Sequence, residues 1–200
     1  MQARVTIVSI QPEMMNEAIT IFREYIDPVA GVLGRLESRY GSFACLGNHD
    51  HWTNAELVRT GLEDHGIRVL VNEGFRFTAQ DVSFWLCGVD DYMLKRTDIK
   101  AALHGSFPDE MKMLLAHNPV IVRQAARRDV DVMFSGHTHG GQVKIREKEK
   151  KILAHRRRLT SGLHRRKNTQ IYITRGIGTV VLPVRYQCPP EISIIELAAP

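Results

Sequence analysis

No apolar run in this chain of 200 residues approaches the roughly 18 residues that a membrane-spanning helix needs. The first residues do not form a basic region followed by a long apolar core, so no secretory leader is expected. Cysteine is scarce. Cys45, Cys87 and Cys188 are an odd number, each near apolar residues, and none has the paired spacing of a thiolate metal site. They read as buried free thiols in a reducing compartment, which predicts a cytoplasmic protein. Internal repeats, low-complexity tracts and an interdomain linker are also lacking. A single domain over residues 1–200 is expected, long enough to bury a sizeable core.

Charge is present but uneven. The formal net charge is +5. Residues 144–167 hold eleven Lys or Arg against Glu147 and Glu149, a local +9 on a remainder of −4. The basic character belongs to one inserted segment, not to the whole surface. That segment has no aromatic residue for stacking bases, which argues against nucleic acid. Ile152, Leu153, Leu159 and Leu163 are interleaved with its charges, a pattern that suits an anionic membrane surface. Peripheral, salt-sensitive placement on the inner membrane face is therefore expected.

What is there is a repeated local pattern. An apolar run at 130–134 leads into Ser135-Gly136-His137-Thr138-His139-Gly140-Gly141-Gln142. Glycine permits positive φ and close approach to a ligand, so the two imidazoles are expected on a tight turn beyond a strand end. Residues 42–46 form a second apolar run, ending in Gly47-Asn48-His49-Asp50-His51. A third, 111–116, ends in His117-Asn118-Pro119. Three strands that each deliver a histidine at one end fit a divalent metal site, for which neutral imidazole is the commonest nitrogen donor. His51, His65, His104, His155 and His164 lack such support and read as surface residues.

Between these runs the periodicity predicts a weak strand at 2–10 and a helix at 14–36, broken or kinked at Pro28. Thr53-Asn54-Ala55-Glu56 has the form of a capping box for a helix at 54–64 that ends near Gly66. Strands are expected at 67–71, 75–78, 82–89, 170–174 and 191–197, and helices at 98–104 and 119–127. Strands alternating with helices predict an α/β domain with mixed sheets.

Gly47-Asn48-His49-Asp50, then His117, then Gly136-His137-Thr138-His139 resembles, in order and spacing, the later motifs of the calcineurin-like metallophosphoesterases. The tail, with Tyr172-Ile173-Thr174-Arg175-Gly176 and Cys188-Pro189-Pro190-Glu191-Ile192, is similar to a bacterial branch of membrane-associated phosphodiesterases. Those enzymes resemble the ones acting on UDP-diacylglucosamine-type lipids. The resemblance implies two facing mixed β-sheets flanked by helices. It also implies two divalent ions, manganese, iron or zinc, that clamp phosphoryl oxygens and activate water. Asn48, His117 and His137 would ligate one ion and His139 the other. His49 would act on the scissile phosphate, with Asp50 orienting it. Gly140, Gly141 and Gln142 would face the substrate, a phosphate ester or lipid-linked phosphate. Arg175 and Arg185 suit either phosphate or a structural ion pair.

The family pattern opens with Asp-x-His and Gly-Asp motifs, and neither occurs in this sequence. Residues 1–24 diverge from the expected start, so the likeness is to a member lacking its N-terminal motifs. That leaves two expectations open. One is an active phosphoesterase whose site is completed elsewhere. The other is a degenerate member or gene fragment that binds without turnover.

Overall fold

The computed structural model of the chain describes residues 3–7, 18–79, 82–143, 159–179 and 183–197. The chain begins with strand β1 (Ala3–Ile7), helix α1 (Ala18–Gly34) and strand β2 (Ser42–Ala44). Helices α2 (Asn48–Thr53) and α3 (Ala55–Asp64) follow, then strands β3 (Ile67–Val69), β4 (Glu73–Ala79) and β5 (Val82–Gly88). Next come α4 (Ile99–Ala102), β6 (Lys112–Leu115), a 3-10 turn at Pro119–Ile121, α5 (Val122–Ala125) and β7 (Val132–Ser135). A second 3-10 turn at His139–Gly141 precedes β8 (Gly162–Arg166), β9 (Thr169–Ile173) and β10 (Ser193–Leu197).

Six of the strands form one sheet in the order β4-β5-β6-β7-β9-β8. The inner four are parallel, and both edge strands are antiparallel to their neighbours. Side chains alternate across it with the period of two that a strand imposes. Trp85, Cys87, Leu114, Met133, Ile171 and Ile173 point to one face, where Ile99 and Ala102 of α4 and Val122 and Ala125 of α5 close a core. Phe84, Leu86, Met113, Val132 and Phe134 point to the other face. Because both faces are covered, the parallel strands read as nearly continuous apolar runs in the sequence.

The second face meets Phe43 of β2, Leu70 and, from β10, Ile195 and Leu197. Two small sheets supply these residues or, for Leu70, end just before it: the parallel pair β2–β3 and the antiparallel pair β1–β10. The expected α/β fold with facing sheets flanked by helices is the one observed, its second layer divided into two ribbons. Two buried side-chain donors within it bond to main-chain carbonyls. Trp85 Nε1 donates to the Ala102 carbonyl at 2.9 Å, and Ser135 Oγ to the Ala116 carbonyl at 2.7 Å.

Several local expectations shift. Pro28 lies inside α1 and does not divide it. The helix cap expected at Thr53 falls on Asn54, whose side chain accepts the Leu57 N–H at 3.1 Å. Thr53 is instead the buried last residue of α2. Residues 144–158 of the basic segment lie outside the described residues. In the described part, Leu159 packs against the core instead of facing outward, while Leu163 on the edge strand β8 is 67% exposed. Among the described residues no helix is long and apolar enough to cross a membrane. All three cysteines are free. Cys87 and Cys188 are buried and Cys45 half-buried, and burial pushes the Cys87 thiol up to about 12, so it stays protonated.

Candidate metal centre

Parallel strands share a direction, so the loops after β5, β6, β7 and β9 leave from one end of the sheet. That end is where open α/β sheets place ligands. His117 follows β6 and His137 follows β7, while Asn48 is carried there by the glycine turn after β2. Asn48 Oδ1 stands 3.1 Å from His117 Nε2, and His137 Nδ1 stands 3.1 Å from the same nitrogen. The two rings meet edge to face, 4.9 Å between centroids. Oxygen and nitrogen donors with metal bonds of about 2.0–2.2 Å sit roughly 3 Å from one another around a shared ion. The two contacts have hydrogen-bond spacing, which is also the spacing between donors around one ion, and an amide oxygen with neutral imidazole nitrogens is a donor set that suits a divalent metal. No group of three His, Cys, Asp or Glu among the described residues is placed to hold a metal. The trio here depends on the amide oxygen of Asn48.

Protonation supports the same chemistry. Burial, reinforced by His137, His49 and His139, pushes His117 down to about 3. Burial likewise brings His139 down to about 4 and lowers His137 and His49. All four rings are neutral at pH 7, the form that binds metal.

The backbone is shaped to this end. A Cβ on Gly47 would come within 2.8 Å of three atoms of the His117 ring, so only glycine lets the ring reach Asn48. In the second loop the left-handed geometry expected of the flanking glycines falls on the histidines as well. His137 has φ of 65° and His139 of 49°, alongside Gly140 and Gly141. Left-handed backbone at a non-glycine costs about 1–3 kcal/mol and persists where the surroundings impose it. The surroundings here are specific. Arg185 donates through Nη1 to the His139 carbonyl at 3.3 Å, and through Nη2 to the carbonyls of Arg175 at 2.9 Å and Gly176 at 3.2 Å. The Cys188 thiol donates to the same His139 carbonyl at 3.3 Å. His139 itself is buried, with Nδ1 at 3.4 Å from the Gly178 carbonyl.

Arg175 forms an ion pair with Glu191, which also accepts from Tyr172 at 2.8 Å. Both arginines thus take the structural alternative, binding protein groups. His49 is half-buried and packs edge to face on Trp52 at 4.6 Å. Asp50 accepts the Gly47 N–H at 2.7 Å, fixing the turn that presents Asn48 and His49. Burial raises its carboxyl to about 6. Gly140 is buried against Arg175 and Cys188, whereas Gly141 is exposed. Gln142 is half-buried, its carbonyl accepting the Tyr186 N–H at 2.9 Å.

The structure adds residues that the motif reading passed over. Asp90 and Asp91 leave the C-terminal end of β5 and are both buried. Asp90 Oδ1 lies 2.5 Å from His51 Nε2, with both side chains largely shielded from solvent, so His51 is not a surface residue. His65 and His164 are also half-buried, on the carbonyls of Gly61 and Ser161. His104 is exposed as expected, and His155 lies outside the described residues. The signal for Asp91 was in the sequence: another apolar strand ending in glycine, followed by carboxylates instead of histidine.

No family model matches the chain, and no solved structure matches it significantly. Curated relatives do. An uncharacterized metallophosphoesterase of Helicobacter pylori is 30% identical over 98% of this chain and 52% of its own length. The phosphodiesterase YaeI of Escherichia coli is 32% identical over 83% of this chain and 62% of its own. A transmembrane protein with metallophosphoesterase domain of Danio rerio is 31% identical over 96% of this chain and 45% of its own. The chain thus spans about half of the relatives it matches. Relatives named metallophosphoesterase, similar along most of the chain, support the metallophosphoesterase family for this protein.

Proposed function

We propose that this chain is a metal-dependent phosphoesterase acting on a phosphodiester or pyrophosphate, and that the phosphate it recognises is lipid-linked. The observation that carries the reaction class is the meeting of Asn48 Oδ1, His117 Nε2 and His137 Nδ1 at one sheet end, at coordination spacing. These three would hold one ion and His139 would contribute to a second. Manganese, iron and zinc all suit such donors. When bound, such ions offset phosphate charge and make water a nucleophile at neutral pH.

The remaining work falls to the chain's own groups. His49, half-buried and braced by Trp52, would present its ring N–H to the departing oxygen. Asp50 holds the turn beneath it through Gly47. Gly141 and Gln142 would line the substrate side. The Escherichia coli relative's name, phosphodiesterase, favours a diester. For the lipid-linked substrate the support is the basic segment at 144–167, which follows the histidine motif in the sequence. Its described end carries exposed Leu163, Arg165, Arg166 and Lys167.

The chain reloaded with each metal should hydrolyse an activated aryl phosphodiester. Turnover unchanged in His137→Ala would refute the assignment. Co-sedimentation with anionic vesicles should fall at high salt and when Arg156, Arg157 and Arg158 become Ala. Equal binding to neutral vesicles would remove the membrane component. A second reading, a binding module without turnover, is favoured by the absence of Asp-x-His and Gly-Asp from the sequence. It requires metal content well below one ion per chain and no turnover with any metal.

A further inference from the structure

We propose that Asp91 is a further residue of this centre, the anionic group that balances the charge of a divalent cation held by Asn48, His117 and His137. The inference rests on the reading of that trio as a metal centre. Every donor of the trio is neutral, and a hard divalent ion among neutral ligands favours a nearby carboxylate. Asp91 is 1% exposed. Its Oδ1 accepts the Leu94 N–H at 3.0 Å, whereas its Oδ2 is buried without a hydrogen-bond partner. A buried carboxylate oxygen left unsatisfied is costly, and its retention calls for a compensating charge.

The surroundings indicate where that charge would lie. Asp91 stands at the same sheet end as His117 and His137, on the loop after the neighbouring parallel strand. The two other carboxylates close by have partners already. Asp90 meets His51 and the Asp91 N–H, and Asp50 binds Gly47. Since Asp91 forms no three-residue ligand cluster with the histidines, it acts on the cation as a counter-charge behind the ligands, a positioning residue.

The test is Mn²⁺ titration of the metal-stripped full chain, followed by the paramagnetic resonance of free Mn²⁺. Asp91→Asn and Asp91→Ser each keep an oxygen for the Leu94 N–H. Their Mn²⁺ affinity should fall about 10–100-fold, as for loss of a group supporting metal ligands. Without metal, both variants should melt at or above the wild-type temperature, since an unpaired buried charge has been removed. A purely structural Asp91 would instead lower the melting temperature of the metal-free variants, and that result overturns the proposal. So does wild-type affinity in both variants while His137→Ala loses the ion. If the wild type itself takes up no Mn²⁺, the metal-centre reading fails and takes this inference with it.

Discussion

Gly47→Ala isolates the close approach on which the donor trio depends. The backbone there has φ of −114° and ψ of 177°, which alanine adopts without strain. Had the site been open, the substitution would stabilise the chain by about 0.4–1 kcal/mol through the unfolded state. The added Cβ, however, meets Cγ, Cδ2 and Cε1 of His117 at 2.8 Å. The ring cannot yield toward solvent freely, because it sits between Asn48 and His137. Overpacking of this kind costs about 1–3 kcal/mol. The net change is a loss of about 0–2.6 kcal/mol, worth about 2–4 °C in Tm for each kcal/mol in a chain of this size. A ring displaced by even half an ångström also breaks the shared donor geometry, so metal affinity should fall at least tenfold. Gly66→Ala is the control. Gly66 has φ of +78° with open space around the site of its Cβ, so alanine there lowers Tm through backbone strain alone and leaves metal affinity unchanged. Calorimetry on the three proteins, with and without Mn²⁺, gives both quantities. Wild-type metal affinity in Gly47→Ala would refute the reasoning.

Three further outcomes follow from other parts of the molecule. Burial alone would raise the Glu191 carboxyl, but hydrogen bonds from Tyr172, Arg175 and Ser193 outweigh it and hold it below the ordinary range. A depressed carboxyl stabilises above its unfolded value, about 4.3 for Glu, and loses that contribution as pH falls through the folded value. Thermal melts should therefore show the wild type losing its margin over Glu191→Gln as the pH drops below about 4. Arg185→Lys removes the fork that ties together the carbonyls of His139, Arg175 and Gly176, so hydrogen exchange should speed up across the His139 loop. Exchange unchanged there would contradict the clamp. Leu114→Ala, at a fully buried central position, should cost about 2–5 kcal/mol in denaturant unfolding.

The strand ends were legible because burial on both faces leaves a nearly continuous apolar run, and each run stops at the polar group it delivers. That is why His117, His137 and Asn48 stood out before their spacing was known. Contacts between distant segments were not legible. The pairing of His51 with Asp90 joins residues 39 apart in sequence, and no local pattern announces it. Asp91 carries no imidazole, although Cys87-Gly88-Val89-Asp90-Asp91 repeats the strand-then-ligand form. The short helix α2 carries no helical periodicity of its own, because its six residues are mostly polar motif groups. Thr53 then attracted a cap assignment that belongs to Asn54, the residue with the free geometry to reach Leu57. Strand β8 was absorbed into the basic segment. Its apolar residue Leu163 faces outward on the edge strand beside Arg165 and Arg166, so no apolar alternation marks the strand in the sequence.

The central claim is that Asn48, His117 and His137 form one metal-binding set. Pulsed electron paramagnetic resonance of the Mn²⁺-loaded full chain tests it most directly, because bound imidazole nitrogen modulates the electron-spin echo. The account predicts a saturable ion whose echo carries modulation from two imidazoles, reduced by one in either His117→Ala or His137→Ala and weakened in occupancy in Asn48→Ala. An ion without nitrogen modulation, or a wild-type echo in both histidine variants, would contradict it.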